Sequence, residues 1–356
     1  MSELLGPTDV EAEFWDGAVD LLEVAATCDG DAAPVLGILS KLPPPPVPGR
    51  GSTRPLLGLL ARLGGLDLTA ARVVEPHFDA AAIIEQSGAS VESGATWGVF
   101  ASASPVSIQW VPAEAPHSRA SDRDAALSGT KRWCSLAAHL DRALVTASDD
   151  QGEWMFVLDL GQDSVAPREG GAPITGLRGV PSGPVDLTRA RAHVIGDGPD
   201  WYTSRPGFAW GGIGVAAVWF GAAVSLGRTL LRAAETREPD QLGFAWLGET
   251  DRLLRGLRVQ LDDAADRIDA GTSDWALAQS VRGNTANTCW RILEICGEAL
   301  GPGPLAFDAE HARRVADLTM YLRQHHGARD DAAHGTDLLA AARGAHRPPT
   351  REGGDS

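Results

Sequence analysis

The chain has 356 residues, 44% of them hydrophobic and 22% charged, with a formal net charge of -16. That length calls for two or three structural units, and the balance is that of an ordinary folded protein. So acidic a surface repels phosphate backbones and anionic lipid, which argues against nucleic acid and against membrane binding.

Residues 14–25 carry Phe14, Ala18, Leu21, Leu22 and Ala25 at helical spacing. Residues 42–50 (LPPPPVPGR) must be extended, because successive prolines cannot donate helical hydrogen bonds. A second helix is expected over 56–63. A third runs through Leu68, Ala71, Val74, Phe78, Ala81 and Ile84, kinked or restarted at Pro76. No basic segment followed by an apolar one opens the chain, so no secretory leader is expected. Cys28, Cys134, Cys289 and Cys296 form no CxxC pair, so no metal site is expected and the thiols read as buried and reduced in the cytoplasm.

From about residue 94 turn residues become frequent and the apolar period falls toward two. Residues 142–160 read as a hairpin turning at 149–152. Residues 127–136 show a Ser-Gly-Thr turn before a strand, and 185–194 alternate again. These segments predict a small antiparallel barrel or sandwich.

The last zone is helical. Residues 208–226 (FAWGGIGVAAVWFGAAVSL) are long and apolar enough to span a bilayer. The run is isolated and lacks a basic flank, so a core helix buried on all sides is expected. Amphipathic helices follow, with breaks at 237–243, 271–274 and 301–308. The resulting organisation is a helical domain over 1–93, a β domain over 94–204, a four-helix bundle over 205–345 and a disordered tail over 346–356.

This order of parts resembles the acyl-CoA dehydrogenase superfamily, and short motifs carry the likeness along nearly the whole chain. Residues 127–135 (LSGTKRWCS) resemble its L-x-G-x-K-x-W-I-T/S segment. Residues 177–192 resemble the β segment leading into its bundle, and 314–327 (RVADLTMYLRQHHG) the helix that ends in Y-E-G. Residues 205–212 and 322–327 are similar to divergent actinobacterial members. The resemblance implies the acyl-CoA dehydrogenase fold, mainly α with an antiparallel β-barrel in the middle. It implies FAD as cofactor and an acyl-CoA or acyl-carrier thioester as substrate.

Carried over by motif, Trp133 and Ser135 would lie against the flavin ring, Ser102 would take the place of a flavin-binding threonine, and Arg237 would hold the pyrophosphate. Trp97, Phe208 and Trp210 are candidates to line the substrate pocket. The family's catalytic glutamate falls on His326 or His325, with His326-Gly327 replacing Glu-Gly, and the alternative family position near Val215 carries no carboxylate. Imidazole acts as a base near neutral pH. Arg237 lacks the family's following Phe-Gly, and residues 294–301 match its Q-x-x-G-G loop only loosely. The leading expectation is a flavin oxidoreductase that desaturates an acyl thioester. A flavin monooxygenase on the same fold stands second, and an inert subunit paired with an active homologue third. A homo- or hetero-oligomer is expected, since the family completes its cofactor site with a neighbouring subunit.

Overall fold

The computed structural model describes residues 15–90, 94–111, 123–168 and 175–345. The expected tail over 346–356 lies outside the described residues. Among the described residues four helices come first: α1 (Ala18–Thr27), α2 (Ala32–Leu39), α3 (Thr53–Leu66) and α4 (Leu68–Gln86). The proline-rich segment between α2 and α3 is extended, and the Pro44 carbonyl accepts the indole N–H of Trp15. Asp67 starts α4 by accepting the Ala70 N–H at 3.0 Å, a side-chain cap. The helix does not restart at Pro76: α4 runs through it unbroken, 19 residues in all. Its burial on most sides compensates for the one missing donor.

Among the described residues seven strands follow: β1 (Trp97–Phe100), β2 (Val106–Trp110), β3 (Asp124–Ser135), β4 (Arg142–Asp149), β5 (Gly152–Asp159), β6 (Val165–Pro167) and β7 (Ser182–Ile195). The hairpin over 142–160 is β4 and β5, paired from Arg142 with Asp159 to Asp149 with Gly152. The expected antiparallel barrel is not closed by strand pairing among the described residues. The strands make one open mixed sheet in the order β1-β4-β5-β7-β3-β2, with β6 beside β7 and β1 parallel to β4. Among the described residues β1 and β2 stay at opposite edges. β3 pairs with β7 along most of its length but slips between Lys131 and Cys134, a bulge that displaces Arg132 and Trp133.

The helical remainder comprises the short α5 (Trp201–Ser204), then α6 (Gly207–Thr236), α7 (Gln241–Asp269), α8 (Trp275–Leu300), α9 (Gly303–Phe307), α10 (Ala309–Tyr321), a 3-10 turn (Leu322–Gln324) and α11 (Ala328–Ala345). The apolar run forms α6, and 83% of its most apolar window is buried inside the fold. It packs against α3, α4, α7, α8 and α10. Its approach to α3 is backbone on backbone. A Cβ on Gly221 would lie 1.7 Å from the Ala61 carbonyl oxygen, and one on Gly64 2.1 Å from that of Val218. Only glycine permits that distance. An apolar cluster with Ile83, Ile84, Trp97, Leu144 and Tyr202 joins α4 to the sheet.

Candidate active site

Helix α4 has a second face that its apolar pattern conceals. Arg72, Glu75, Asp79 and Gln86 recur at intervals of three, four and seven, so they lie in one stripe along the helix. That stripe faces inward. An Arg72 Nη2 donates to Ser135 Oγ at the end of β3, at 3.4 Å. The other Nη contacts Glu75 Oε2 at 3.2 Å, and the Tyr321 hydroxyl of α10 donates to the same oxygen at 3.3 Å. Arg205 reaches Asp79 at 3.8 Å and donates to Gln86 Oε1 at 2.8 Å. Arg282 of α8 donates to the Gly212 and Gln324 carbonyls, and its guanidinium covers the Trp219 ring. Two glycines of α6 make room: a Cβ on Gly211 would lie 3.0 Å from an Asp79 oxygen, and one on Gly212 3.0 Å from Arg282 Cδ.

The stripe borders a cavity of about 40 Å³ between α3, α4 and α6, closed by Ile268 of α7. Leu56, Leu60, Phe78, Trp210 and Ile268 make its wall apolar. Glu75 and Asp79 are its charged lining, and the amide of Gln86 also faces it. The Gln86 Nε2 has no hydrogen-bond partner although it is buried. Desolvation dominates the electrostatics. Burial pushes Glu75 from its ordinary 4.5 up to about 7, against the pull of Arg72. Burial raises Asp79 as well, opposed by Arg205 and Arg72. It also holds the Tyr321 phenol well above its ordinary range. A carboxyl group that titrates near neutrality inside a cavity is suited to moving protons.

The residues expected from the sequence are distributed unevenly. Trp210 lines the cavity, with its indole N–H held by Ser273 at 2.7 Å. Trp97 and Ser135 border a smaller space of about 10 Å³ between α4 and the sheet, which they share with Arg72 and Leu140. Phe208 instead stacks on Trp275 and meets Tyr202 edge-on, a packing role. Ser102 donates to the Arg132 carbonyl at 2.5 Å, beside Ser104. Trp133 is 73% exposed, and its backbone sits at φ 59, the left-handed region. Together with the β3 bulge, that conformation turns the indole out of the sheet. Arg237 is exposed beyond the end of α6, about 40 Å along that helix from Trp210.

Neither histidine lines the cavity. The 3-10 turn after α10 splits the pair: the His325 side chain is only 7% exposed, while that of His326 is 60% exposed. Both ring Nδ1 atoms point at Asp330, at 3.1 and 3.3 Å. The His325 contact is close but not aligned as a hydrogen bond, and that Nδ1 has no partner by direction. Arg282, which donates to the Gln324 carbonyl, stands between this pair and the Glu75 cluster. Val215, the other family position, is a buried apolar residue of α6. Glu75 and Asp79 are thus the site residues that sequence reasoning missed. The signal was present as four polar side chains on one helical stripe, in a helix that is apolar on its other faces.

A helical lead, a sheet and a terminal bundle packed in this order form the acyl-CoA dehydrogenase fold. Solved structures share it over their whole length. Butyryl-CoA dehydrogenase from Megasphaera elsdenii superposes with a TM-score of 0.73 at 14% identity, over 93% of this chain and 100% of that one. Glutaryl-CoA dehydrogenase from Mycobacterium smegmatis gives 0.75 at 14%, over 96% and 98%. The FMN-bound dibenzothiophene monooxygenase TdsC from Paenibacillus sp. A11-2 gives 0.72 at 15%, over 94% and 98%. No protein-family model matches the chain, and no curated sequence matches it.

Proposed function

We propose that the chain is a flavin-dependent oxidoreductase. Trp133 carries this reading. A tryptophan held in the left-handed region by a bulge and turned toward solvent is strained and gains no burial in return. A flat aromatic ring stacked on it would supply what the fold leaves out. The hydroxyls of Ser102, Ser104 and Ser135 lie along the same corner of the sheet and can bond ring heteroatoms. Solved proteins of this fold include FMN-bound ones, which supports the same choice.

The fit has one condition. The space beside Ser135 encloses about 10 Å³, room for a single water at most. Arg72 crosses it, with a side chain 15% exposed. Trp133 is free to receive a flavin, and Arg72 would have to leave the space beside Ser135 for that hydroxyl to reach it. When bound, a flavin would supply two-electron chemistry. Ser102, Trp133 and Ser135 would hold and orient it.

FAD, an acyl-CoA or acyl-carrier substrate and α,β-desaturation are the finer form of this proposal. Oxygen insertion is the second reading, favoured because neither His325 nor His326 reaches the cavity. Assembly with a second copy or a homologous subunit fits the exposed Leu242, Phe244, Leu305 and Phe307, the last 92% exposed. The proposal includes a cytoplasmic location.

Mixing the purified chain with FMN and with FAD, followed by visible absorbance, tests it. A bound flavin that Trp133→Ala releases is expected. Bleaching by butyryl-CoA without oxygen selects desaturation, and oxygen consumption with reduced flavin selects oxygen insertion. If neither flavin binds to the wild type or to Arg72→Ala, the inert-subunit reading replaces this one.

A further inference from the structure

We propose that Arg72 makes the sheet corner at Ser135 select a reduced flavin over an oxidised one. The guanidinium finds a charged partner in the anionic reduced ring and only a neutral one in the oxidised ring. The inference rests on the flavin reading above and adds the redox state that the corner favours.

The direction of the hydrogen bonds carries it. Ser182 Oγ donates to the Val180 carbonyl at 3.1 Å, which uses its single proton. The 2.9 Å contact between the Ser135 and Ser182 hydroxyls therefore runs from Ser135 to Ser182. Ser135 Oγ in turn accepts from Arg72 at 3.4 Å. With the Ser135 proton engaged, the group here with donors to spare is Arg72. A guanidinium carries five N–H donors. Arg72 spends one on Ser135 and one on Glu75 Oε2, and makes no further hydrogen bond among the described residues. It is largely buried, it borders the small space beside Ser135, and its guanidinium lies over the Tyr321 ring, 5.6 Å from the centroid. A ligand acceptor that reaches this corner meets the guanidinium first.

The partner already in place sets the selectivity. An oxidised flavin ring is neutral, and its carbonyls and ring nitrogens are weaker partners for a guanidinium than the Glu75 carboxylate. It takes the corner only by displacing Arg72. A reduced ring loses a proton readily and spreads negative charge along its pyrimidine edge, so it competes with Glu75 on equal terms and Arg72 stays. Arginine keeps its charge throughout the working range of pH. Little water reaches the corner to screen that charge. The phosphate of FMN is the same in both redox states and cancels from the comparison. By linkage, tighter binding of the reduced form makes the flavin easier to reduce on the protein than in free solution.

Anaerobic equilibrium dialysis of the full-length chain against oxidised FMN and against dithionite-reduced FMN tests this. The buffer is alkaline enough to keep the reduced ring anionic. The wild type is expected to bind the reduced form about tenfold more tightly. For a two-electron couple that ratio places the midpoint potential about 30 mV above that of free FMN, read by equilibration with a redox dye. Arg72→Ala is expected to bind the two forms equally, its affinity for oxidised FMN having risen about tenfold. Arg72→Lys keeps the charge and should retain a preference for the reduced form, which a merely structural arginine would not predict. Arg132→Ala removes an exposed cation two residues before Cys134 and should leave the ratio unchanged, because solvent screens it. The wild-type ratio decides the matter by itself should Arg72→Ala fail to fold. Equal affinities in the wild type, tighter binding of the oxidised form, or a preference that survives in Arg72→Ala each overturns the proposal and leaves flavin binding intact. Binding of neither form to the wild type or to Arg72→Ala removes the flavin reading and this inference with it.

Discussion

Replacing Glu75 with glutamine removes one proton equilibrium and keeps the volume. The folded-state carboxyl titrates at about 7 and its ordinary value is 4.5. Because the folded value is raised, the folded chain holds this proton more tightly than the unfolded one. Its contribution is fully present below pH 4.5 and is lost as the pH rises through 7. At 1.36 kcal/mol per unit, the loss amounts to about 3 kcal/mol once the pH exceeds 7. Glutamine does not titrate. The stability of Glu75→Gln relative to wild type should therefore climb by about 3 kcal/mol across that interval. At low pH the variant starts about 1 kcal/mol behind, from one altered hydrogen bond. Urea denaturation of both proteins at a series of pH values measures the difference, in which the titration of other buried groups such as His77 largely cancels. Asp79 does not cancel fully, since it faces Glu75, but removing a neighbouring negative charge adds in the same direction. A difference that stays flat within about 0.5 kcal/mol, or that falls as the pH rises, would refute the reasoning that burial governs this carboxyl.

Three further outcomes follow from the packing. Arg72→Ala clears the space beside Ser135 and should tighten FMN binding about tenfold, read by quenching of flavin fluorescence; an unchanged affinity means Arg72 does not compete with the ring. Gly221→Ala places a methyl 1.7 Å from the Ala61 carbonyl oxygen, so α3 and α6 must separate, at a cost of about 3 kcal/mol or more in chemical denaturation. His326→Ala should leave stability within about 0.5 kcal/mol of wild type, whereas His325→Ala, which empties a buried site against Asp330, should lower it by about 1–3 kcal/mol.

Much of the fold was legible because its signals are local. Periods of 3.6 and of two mark the helices and the β4–β5 hairpin, and an all-apolar run with no polar face reads directly as the buried α6. Sheet closure was not legible. It depends on whether β1 and β2, separated in sequence and only four and five residues long, meet across the sheet, and no local pattern reports that.

The site divides in the same way. The motif around Trp133 pointed to a distinctive sheet corner, but the bulge that turns its indole outward exists only through the pairing of β3 with β7. His325 and His326 are chemically identical neighbours, and a 3-10 turn alone decides which of them is buried. Glu75 is the sharpest case. Charged residues at helical spacing ordinarily mark a solvated face, so the stripe on α4 carries no local sign of a buried site. The sequence determines that these groups share one side of a helix. Only the close packing of α4 among α2, α3, α6, α10 and the sheet removes their water, and the loss of that water moves an ordinary carboxylate to neutrality.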